Sequence, residues 1–307
     1  MKIAVIGAGA MGSIYGGRLS LHNDVCLIDT NAEVVGWLNE NGLRLEENGE
    51  DVLFRPKAMT DSSSFGRADL VILFVKALFS RAALSSNRHL IGPDTYLLTL
   101  QNGSGHEDIL GEFADQEHII IGTTEDQGTV LGMGHIRHGG VGNTNLGMLV
   151  PDNKGILETL KETFDSCGFH VKLHDNIQQL IWNKLFTNVS LSALTGILQV
   201  RMGFIAGNEH ADAMARRLIH EAVEVAHAMG LTADEEELIA QVEATSKRTP
   251  EGITSICADL ANGRRTEVDT ISGSVVRAAK KYNVEAPCHE FLVHMVHAME
   301  EKGLGQL

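Results

Sequence analysis

The chain has 307 residues, of which 43% are hydrophobic and 21% are charged, a composition typical of a globular protein with one large or two ordinary domains. Its net charge of −15 argues against nucleic acid and anionic membranes as partners. The four cysteines are widely spaced and form no C-x-x-C pair, so the sequence indicates neither a zinc site nor a disulfide framework. Because we see no signal peptide and no apolar run of roughly 18 residues, we expect a cytoplasmic protein.

The first predicted element is a strand that runs directly into a glycine-rich turn. Residues 2–6 have buried-strand character, and a helical run through Leu19 follows the motif Gly7-Ala8-Gly9-Ala10-Met11-Gly12. In dinucleotide-binding βαβ units, the glycines of G-x-G-x-x-G allow a tight turn, close approach of the backbone to the pyrophosphate, and packing of helix on strand. We therefore predict that residues 7–12 bind a dinucleotide cofactor. The alternative is a glycine-rich turn in an unrelated α/β domain.

The second predicted strand, residues 24–28, ends at Asp29, close to the spacing expected for a residue that binds the cofactor ribose. A carboxylate there would accept hydrogen bonds from the ribose hydroxyls and would repel the 2′-phosphate of NADP. Two unit charges about 4 Å apart repel by about 4 kcal/mol at an effective dielectric of about 20. Thr30 and Asn31 follow, so no adjacent cation offsets the repulsion. We predict NADH over NADPH, unless Asp29 only begins the next turn.

Strand-like and helix-like segments alternate through the rest of the first half. The strand-like segments are residues 43–45, 52–54, 69–75, 95–100, 118–122 and 170–173, and the helical ones are 32–41 and 154–167. This alternation predicts a parallel, doubly wound sheet of Rossmann type. Residues 128–147 are glycine-rich with alternating apolar positions, and we predict that they form antiparallel strands that close one edge of that sheet.

Two histidines, His135 and His138, lie in the glycine-rich stretch at a spacing of three. A pair of this kind can bind a metal ion, but no third ligand is apparent from the sequence. We therefore predict no metal site and expect both histidines to be ordinary residues of an edge strand.

The second half of the chain is helical in pattern. The predicted helices are residues 176–199, 203–229, 234–247, 252–262, 266–282 and 288–302. We predict an α/β protein of two domains. Residues 1–175 form a dinucleotide-binding Rossmann-type domain, and residues 176–307 form an all-α domain for substrate binding and catalysis.

A polar face on the first helix of the second domain suggests a catalytic group. Nicotinamide supplies a hydride but no proton, so a carbonyl reductase needs a side chain that protonates the substrate oxygen. Lys184, Asn188 and Ser192 recur every four residues and share one helix face. Apolar neighbours could desolvate the lysine, lower its pKa and make it a general acid. The alternative is a lysine that extends into solvent beside polar surface residues.

A second polar block spans residues 254–269. Ser255 and Asp259 lie one helical turn apart, Asn262-Gly263 breaks the helix, and Thr266-Glu267 could begin the next one. Alone, this block would be read as a charged helix-loop-helix.

Together, the motifs of this chain closely resemble those of the ketopantoate reductase (2-dehydropantoate 2-reductase) family, nearly from end to end. The motifs are G-A-G-A-M-G at 7–12, F-V-K-A at 74–77, Q-N-G at 101–103, G-T-T at 122–124, W-x-K-x-x-x-N at 182–188, and S-x-x-x-D-x-x-x-G-R-x-T-E-x-D at 255–269. As a set they are highly specific.

The resemblance implies a role for each matching residue. Lys184 resembles the proton donor to the keto oxygen, and Glu267 resembles its acidic partner near the cofactor. The expected substrate-binding residues are Asn102, Asn188, Ser192 and Ser255. The expected cofactor contacts, besides residues 7–12 and Asp29, are Lys76, Asn102, Gly128 and Glu267.

Four positions depart from the family pattern. The family commonly has asparagine where this chain has Ser192, Met202 and Gly252. Without those amides the substrate pocket would be less polar, and apolar pockets discriminate weakly between substrates. Asp29 is the fourth departure, because the better-known members use NADPH and have a basic residue near that point.

We predict an enzyme that reduces a 2-oxo acid to the D-(R)-2-hydroxy acid with NADH, first of all ketopantoate to pantoate. The alternative is an NADH-dependent D-2-hydroxyacid dehydrogenase that acts on branched or aromatic 2-oxo acids. A non-catalytic NADH-sensing protein is a third reading, but it would have no reason to keep Lys184, Asn188, Ser255 and Glu267 together. The partner is a small-molecule substrate, and the sequence leaves monomer and homodimer open.

Overall fold

A computed structural model of the chain describes residues 1–305 and divides into two compact units. The first unit contains Met1–Gln101 and His106–Ile177, and the second contains Asn102–Gly105 and the chain from Gln178 onward. The short segment Asn102–Gly105 therefore belongs with the helical unit. That the helical unit binds the substrate stays a prediction.

Within residues 1–305, all strands lie in the first unit and most α-helices lie in the second. The strands are β1 (Lys2–Ile6), β2 (Asp24–Ile28), β3 (Leu43–Glu47), β4 (Glu50–Phe54), β5 (Lys57–Met59), β6 (Leu70–Leu73), β7 (Tyr96–Thr99), β8 (Ile119–Thr124), β9 (Gln127–Gly132), β10 (His135–Gly140), β11 (Asn143–Gly147) and β12 (His170–Leu173). The α-helices are α1 (Ala10–Leu19), α2 (Ala32–Asn41), α3 (Ser80–Ser86), α4 (His106–Leu110), α5 (Ile156–Asp165), α6 (Ile177–Leu198), α7 (Gly203–Gly207), α8 (Glu209–Ala228), α9 (Glu235–Arg248), α10 (Ser255–Ala261), α11 (Ser272–Tyr282) and α12 (Pro287–Gly303).

The main sheet has the strand order β12-β11-β8-β7-β6-β1-β2-β5. The strands from β5 to β8 in this order run parallel, whereas β11 is antiparallel to β8. Every residue of β6 and β7 is buried, as expected for central parallel strands. The strand order reverses between β1 and β6, which is where open α/β sheets bind ligands at the carboxyl ends of their strands. The sheet confirms the predicted α/β, Rossmann-type fold.

The glycine-rich residues 128–147 contribute to two different sheets. Strands β9 and β10 form an antiparallel pair that joins β3 and β4 in a separate four-stranded sheet, of order β4-β3-β10-β9. Only β11 reaches the main sheet, and β12, parallel to β11, forms its edge. The prediction that this stretch closes the main sheet was wrong for β9 and β10. Alternating apolar residues reveal a strand, but the choice of partner depends on residues far away in the chain.

The second unit is helical, as predicted. Trp182 and Phe186 of α6 pack edge to face, with ring centroids 5.9 Å apart, in a core shared with α8, α10, α11 and α12. The helix predicted over 203–229 is interrupted at Asn208, whose side chain accepts the amide hydrogens of His210 and Ala211 and so begins α8. No helix within residues 1–305 is both long enough and apolar enough to cross a membrane.

Candidate functional site

In the glycine-rich loop between β1 and α1, Gly7 and Gly12 are tightly packed, whereas Gly9 has open space beside it. Gly7 has a φ of +103°, and a Cβ there would lie 2.9 Å from the carbonyl carbon and oxygen of Phe74. A Cβ on Gly12 would lie 1.8 Å from the carbonyl oxygen of Gly7. Around Gly9, by contrast, a Cβ would meet nothing within 4 Å. The loop therefore packs tightly on the sheet and the helix, yet leaves room at the glycine where a pyrophosphate approaches the backbone.

Asp29 connects this loop to the beginning of α2. One carboxylate oxygen accepts the amide hydrogen of Ala8 at 2.8 Å, and the other accepts that of Asn31 at 2.9 Å. The parallel register, in which Ile6 lies opposite Ile28, brings the ends of β1 and β2 side by side. Asp29 thus begins the next turn, as the alternative reading had it, and also reaches the glycine-rich loop.

Lys76 lies just beyond the carboxyl end of β6 and is exposed. The stretch before it is held by Gln101, whose side-chain amide donates a hydrogen bond of 2.6 Å to the carbonyl of Val75 and one of 3.0 Å to the hydroxyl of Ser80. Gln101 is a positioning residue that the sequence reasoning missed. It is the first residue of the Q-N-G motif at 101–103, which is its signal in the sequence.

Gly128 lies on β9, where it packs against α1 and not against the glycine-rich loop. A Cβ at this position would lie 3.0 Å from the Cβ of Ala10 and 2.8 Å from the Cδ1 of Ile14. Glycine therefore allows β9 to approach α1 closely. Direct contact between Gly128 and a cofactor stays a prediction.

In the second unit, exposure falls along the polar face of α6. Lys184 is exposed, Asn188 is half-buried and Ser192 is buried. The apolar neighbours of Lys184, including Leu185 and Phe186, point into the core and leave the lysine in contact with solvent. These neighbours therefore do not cover Lys184 themselves, and its role as a general acid stays a prediction. The helical periodicity that creates the polar face also turns the apolar residues away from it.

The beginning of α10 packs against the buried end of this face. Thr254 is the N-cap of α10, and its hydroxyl lies 2.7 Å from the hydroxyl of Thr195 and 3.3 Å from the carbonyl oxygen of Ser192. Ser255, the first residue of the helix, is exposed beside it. The structure thus brings the Ser192 and Ser255 segments together. The threonine pair was missed, although a threonine directly before a helix is an N-cap signal.

Glu267 lies in an ordered turn instead of the predicted helix, since α11 begins only at Ser272. The carbonyl of Glu267 accepts the amide hydrogens of Thr270 and Ile271, and the amide of Thr266 donates to Glu300 on α12. The Asn102-Gly103 segment closes on the same turn.

A Cβ on Gly103, whose φ is +96°, would lie 2.2 Å from the carbonyl oxygen of Thr270. The next residue, Ser104, donates its amide hydrogen to that oxygen at 2.9 Å. Within the second unit, the segment that carries Asn102 is therefore packed on the turn that carries Glu267.

The two histidines of β10 are not ordinary edge residues. His138 is buried, with its Nδ1 3.0 Å from Glu47 and its Nε2 3.0 Å from Asp126. His135 lies with Glu46 and Asp51 in a group of three possible metal ligands whose donor atoms are within 4.8 Å of one another.

The carboxylates of that group are already neutralised by basic side chains. Arg137 lies 2.6 Å from Glu46, and Arg44 lies 3.5 Å from Asp51. We therefore interpret the group as an ion-paired surface cluster.

Comparisons with known proteins agree with this geometry. The family model "Ketopantoate reductase PanE/ApbA" matches residues 3–151, and "Ketopantoate reductase PanE/ApbA C terminal" matches residues 176–300. The 2-dehydropantoate 2-reductase of Lactococcus lactis is 34% identical over 98% of both chains.

Two solved structures resemble the chain along its whole length. One is D-mandelate dehydrogenase with NADH and anilino(oxo)acetate, with 34% identity, a TM-score of 0.87 and 99% of each chain covered. The other is the PanE/ApbA family ketopantoate reductase of Ralstonia eutropha, with 30% identity, a TM-score of 0.88 and the same coverage.

Proposed function

This chain belongs to the ketopantoate reductase PanE/ApbA family, and from that membership we propose that it reduces a 2-oxo acid to the D-(R)-2-hydroxy acid with hydride from NADH. It is an oxidoreductase of the 2-dehydropantoate 2-reductase type, acting on CH–OH groups. The first choice of substrate is ketopantoate, because curated relatives from Lactococcus lactis and Streptococcus pyogenes, 34% and 30% identical to this chain, are named 2-dehydropantoate 2-reductase. The observation that carries the proposal is the polar face of α6, with the beginning of α10 packed against it.

The glycine-rich loop fits a dinucleotide. Gly9 leaves the backbone open to a pyrophosphate, and Asp29 offers a carboxylate to the ribose beside it. When bound, NADH supplies the hydride. Gly128 and Lys76 are the further residues that we assign to the cofactor in this unit.

The helical unit supplies the groups that act on the substrate. In this proposal, the ammonium of Lys184 donates a proton to the keto oxygen as the ketone is reduced. Asn188, Ser192 and Ser255 donate hydrogen bonds that orient the 2-oxo acid, and Asn102 does so from its own segment. Glu267 is the acidic partner of Lys184.

A second candidate function, a D-2-hydroxyacid dehydrogenase on less polar 2-oxo acids, is favoured by one contact. A Cβ on Gly252 would lie 2.7 Å from the sulfur of Met202. The methionine side chain therefore fills the space that a side chain at position 252 would need. Two positions where the family commonly has asparagine are thus replaced together by one apolar group. The similarity to D-mandelate dehydrogenase supports the same reading.

The test is a comparison of kcat/KM for ketopantoate, 2-oxoisovalerate and phenylglyoxylate, each with NADH and with NADPH. Ketopantoate ahead by about a hundredfold, or about 2.7 kcal/mol of transition-state stabilisation, supports the first choice. Less polar acids ahead would support the second. A protein that binds NADH and reduces none of them would contradict both and point to a sensor.

The role of Lys184 is tested with Lys184→Ala. We expect kcat to fall by about 10²–10⁴-fold, as for the loss of a general acid, with NADH affinity nearly unchanged. The matched control is Lys247→Ala in the same unit, which removes a lysine that is 65% exposed and pairs with Glu243. Turnover at the wild-type rate in Lys184→Ala would remove this lysine from the mechanism.

The NADH preference is tested with Asp29→Asn. Asparagine can keep its oxygen toward the amide hydrogen of Ala8, so the variant removes the charge and retains the contact with the loop, at the cost of the hydrogen bond from the amide of Asn31. We expect the preference for NADH to fall by at least tenfold, within a ceiling of about 10³-fold set by about 4 kcal/mol of repulsion. An unchanged NADH-to-NADPH ratio would show that the Asp29 charge is not what selects the cofactor.

A further inference from the structure

Two side chains of α12 close on the turn that carries Glu267. The carboxylate of Glu300 is buried, and one of its oxygens accepts the amide hydrogen of Thr266 at 2.6 Å. Its other oxygen lies 2.9 Å from the Nδ1 of His297, and the Nε2 of His297 lies 3.1 Å from the carboxylate of Asp269. Residues of α12 therefore contact the turn on both sides of Glu267, through the backbone of Thr266 and the side chain of Asp269.

The turn depends on these contacts because it has little regular secondary structure of its own. Thr266 is buried, and without Glu300 its amide would lose its acceptor, which costs more than an ordinary exposed hydrogen bond. The hydroxyl of Thr266 in turn accepts the amide hydrogen of Val268 at 3.1 Å. The chain of contacts runs from α12 through Thr266 to the residue that follows Glu267.

His297 can donate hydrogen bonds to both of its carboxylate partners in only one protonation state. Both ring nitrogens of His297 face carboxylate oxygens, and ionised carboxylates only accept hydrogen bonds. A neutral imidazole has a single N–H, so one of the two contacts would then set a lone pair against an oxygen. Only the imidazolium donates to both Glu300 and Asp269.

The charges around His297 favour that imidazolium. Glu300 on its own helix and Asp269 in the turn face it directly, and Arg277 of α11 donates to the carbonyl of Asp269 at 2.8 Å. Burial opposes the charge, but the hydrogen bonds to the two carboxylates prevail and raise the pKa of His297. For Glu300, burial is likewise outweighed, by the hydrogen bonds from Thr266 and His297, so that its pKa is lowered.

The other helices packed on α12 bring acidic residues of their own. Asp259 is the charged residue of α10. From α8, Glu221 accepts the amide hydrogens of Cys288 and His289 at the opposite end of α12.

We propose that His297 and Glu300 are positioning residues for Glu267, and that the protonated histidine holds the turn that carries Glu267 in its ordered form. The inference rests on the proposed function for the role of Glu267, whereas the ordering of the turn does not depend on it. The ordering is complete while His297 is protonated, and it weakens as the pH rises through the raised pKa of His297.

The ordering is measured by amide hydrogen exchange of the peptide that covers residues 264–271, corrected for the intrinsic pH dependence of exchange. We expect protection at about pH 6 to exceed protection at about pH 8.5 by about tenfold, and this difference to vanish in His297→Gln. The control is His294→Gln, one turn earlier on α12 and exposed, which should retain the wild-type difference. Equal protection of wild type at both pH values, or an unchanged difference in His297→Gln, would overturn the proposal.

Turnover separates positioning from a purely structural role. We expect His297→Gln to lower kcat by about ten- to a hundredfold. We also expect wild-type kcat to fall as the pH rises through the raised pKa of His297, and His297→Gln to remove that fall. Glu300→Gln keeps an acceptor for the Thr266 amide and should therefore retain more activity than Glu300→Ala.

A lower melting temperature with an unchanged kcat and pH profile would overturn the positioning role. If the wild type reduced none of the 2-oxo acids with either cofactor, the proposed function would fail, and the exchange measurement would still decide whether α12 orders the turn.

Discussion

The buried histidine of β10 allows a stability prediction with a definite pH dependence. The imidazole of His138 is 1% exposed and lies between Glu47 of β3 and Asp126 after β8. Asp126 also contacts the hydroxyls of Tyr15 at 3.2 Å and Thr124 at 3.0 Å. This network ties the small sheet to α1 and the main sheet, and we expect His138→Gln to weaken that connection.

The magnitude follows from burial. Removing one partner of a buried ion pair costs about 3–5 kcal/mol when the remaining charge stays uncompensated. We expect the lower end, about 3 kcal/mol, because Asp126 keeps the hydrogen bonds from Thr124 and Gly142, and Glu47 keeps its ion pair with Arg18. With a urea m-value of about 3 kcal/mol per molar, the midpoint should fall by about 1 M. The matched control is His135→Gln on the same strand. That histidine is 31% exposed, and its pair with Asp51 is worth about 0–1 kcal/mol at most.

The sign of the pH dependence follows from the direction of each shift. The hydrogen bond to Asp126 outweighs burial and raises the pKa of His138, so its stabilisation is complete below about pH 6.5 and is lost as the pH rises through the raised pKa. For Asp126, burial is outweighed by hydrogen bonds from His138, Gly142 and Thr124, which lower its pKa. Its stabilisation is present above about pH 4 and is lost as the pH falls through the lowered pKa.

The assay is urea unfolding at about pH 6 and about pH 8.5, followed by fluorescence. The chain has two tryptophans, Trp37 in the first unit and Trp182 in the second, so a Trp182→Phe background reports on the first unit alone. Wild type should be less stable at the higher pH, and His138→Gln should lose most of that difference. A variant that keeps the wild-type pH dependence would refute the reasoning, whatever its absolute stability.

The glycines and caps give three further predictions. Gly12→Ala should abolish NADH binding and lower the melting temperature, because the added Cβ would overlap the carbonyl of Gly7. Gly9→Ala should keep the melting temperature but weaken NADH binding. Titration of NADH fluorescence measures the binding of both variants. Gly103→Ala should lower kcat more than it lowers NADH affinity, since it displaces the segment of Asn102, and steady-state kinetics will separate the two. Asn208→Ala should cost about 1 kcal/mol of unfolding free energy through loss of the α8 cap, measured by urea titration.

Each of these predictions has a contrary result. Tight NADH binding by Gly12→Ala would contradict the loop geometry, and a lower melting temperature in Gly9→Ala would show that Gly9 is needed for packing. Wild-type kinetics in Gly103→Ala would separate that segment from catalysis. Unchanged stability in Asn208→Ala would mean that water replaces the cap.

The parts of the fold that depend on local pattern were predictable. The apolar run of β6 and the glycines after β1 gave a parallel sheet and its dinucleotide loop, because buried strands and tight turns are encoded within a few residues. The partner of β10 could not be read in this way, since its pairing with β3 joins residues far apart in the chain. The break at Asn208 was missed because apolar periodicity continues on both sides of it.

The sequence motifs identified the candidate site residues, but they did not reveal the contacts that hold those residues in place. Lys184 and Glu267 were visible through motifs, and their roles stay predictions. The exposure of Lys184 depends on how α6 packs, which a list of its sequence neighbours does not give. Glu300 and His297 lie some thirty positions after the turn they hold, outside any motif, so only the packing of α12 reveals them.

The position of Asp29 has a consequence for how cofactor choice can change. The same carboxylate that would meet the ribose also accepts the amide hydrogen of Ala8, so under the proposed NADH preference cofactor selectivity and loop shape would depend on a single side chain. Replacing it with arginine would supply a cation for a 2′-phosphate and at the same time leave that amide without its acceptor. Under the proposed NADH preference, a change to NADPH would therefore need two changes together: a cation for the 2′-phosphate and a new acceptor for the amide hydrogen of Ala8.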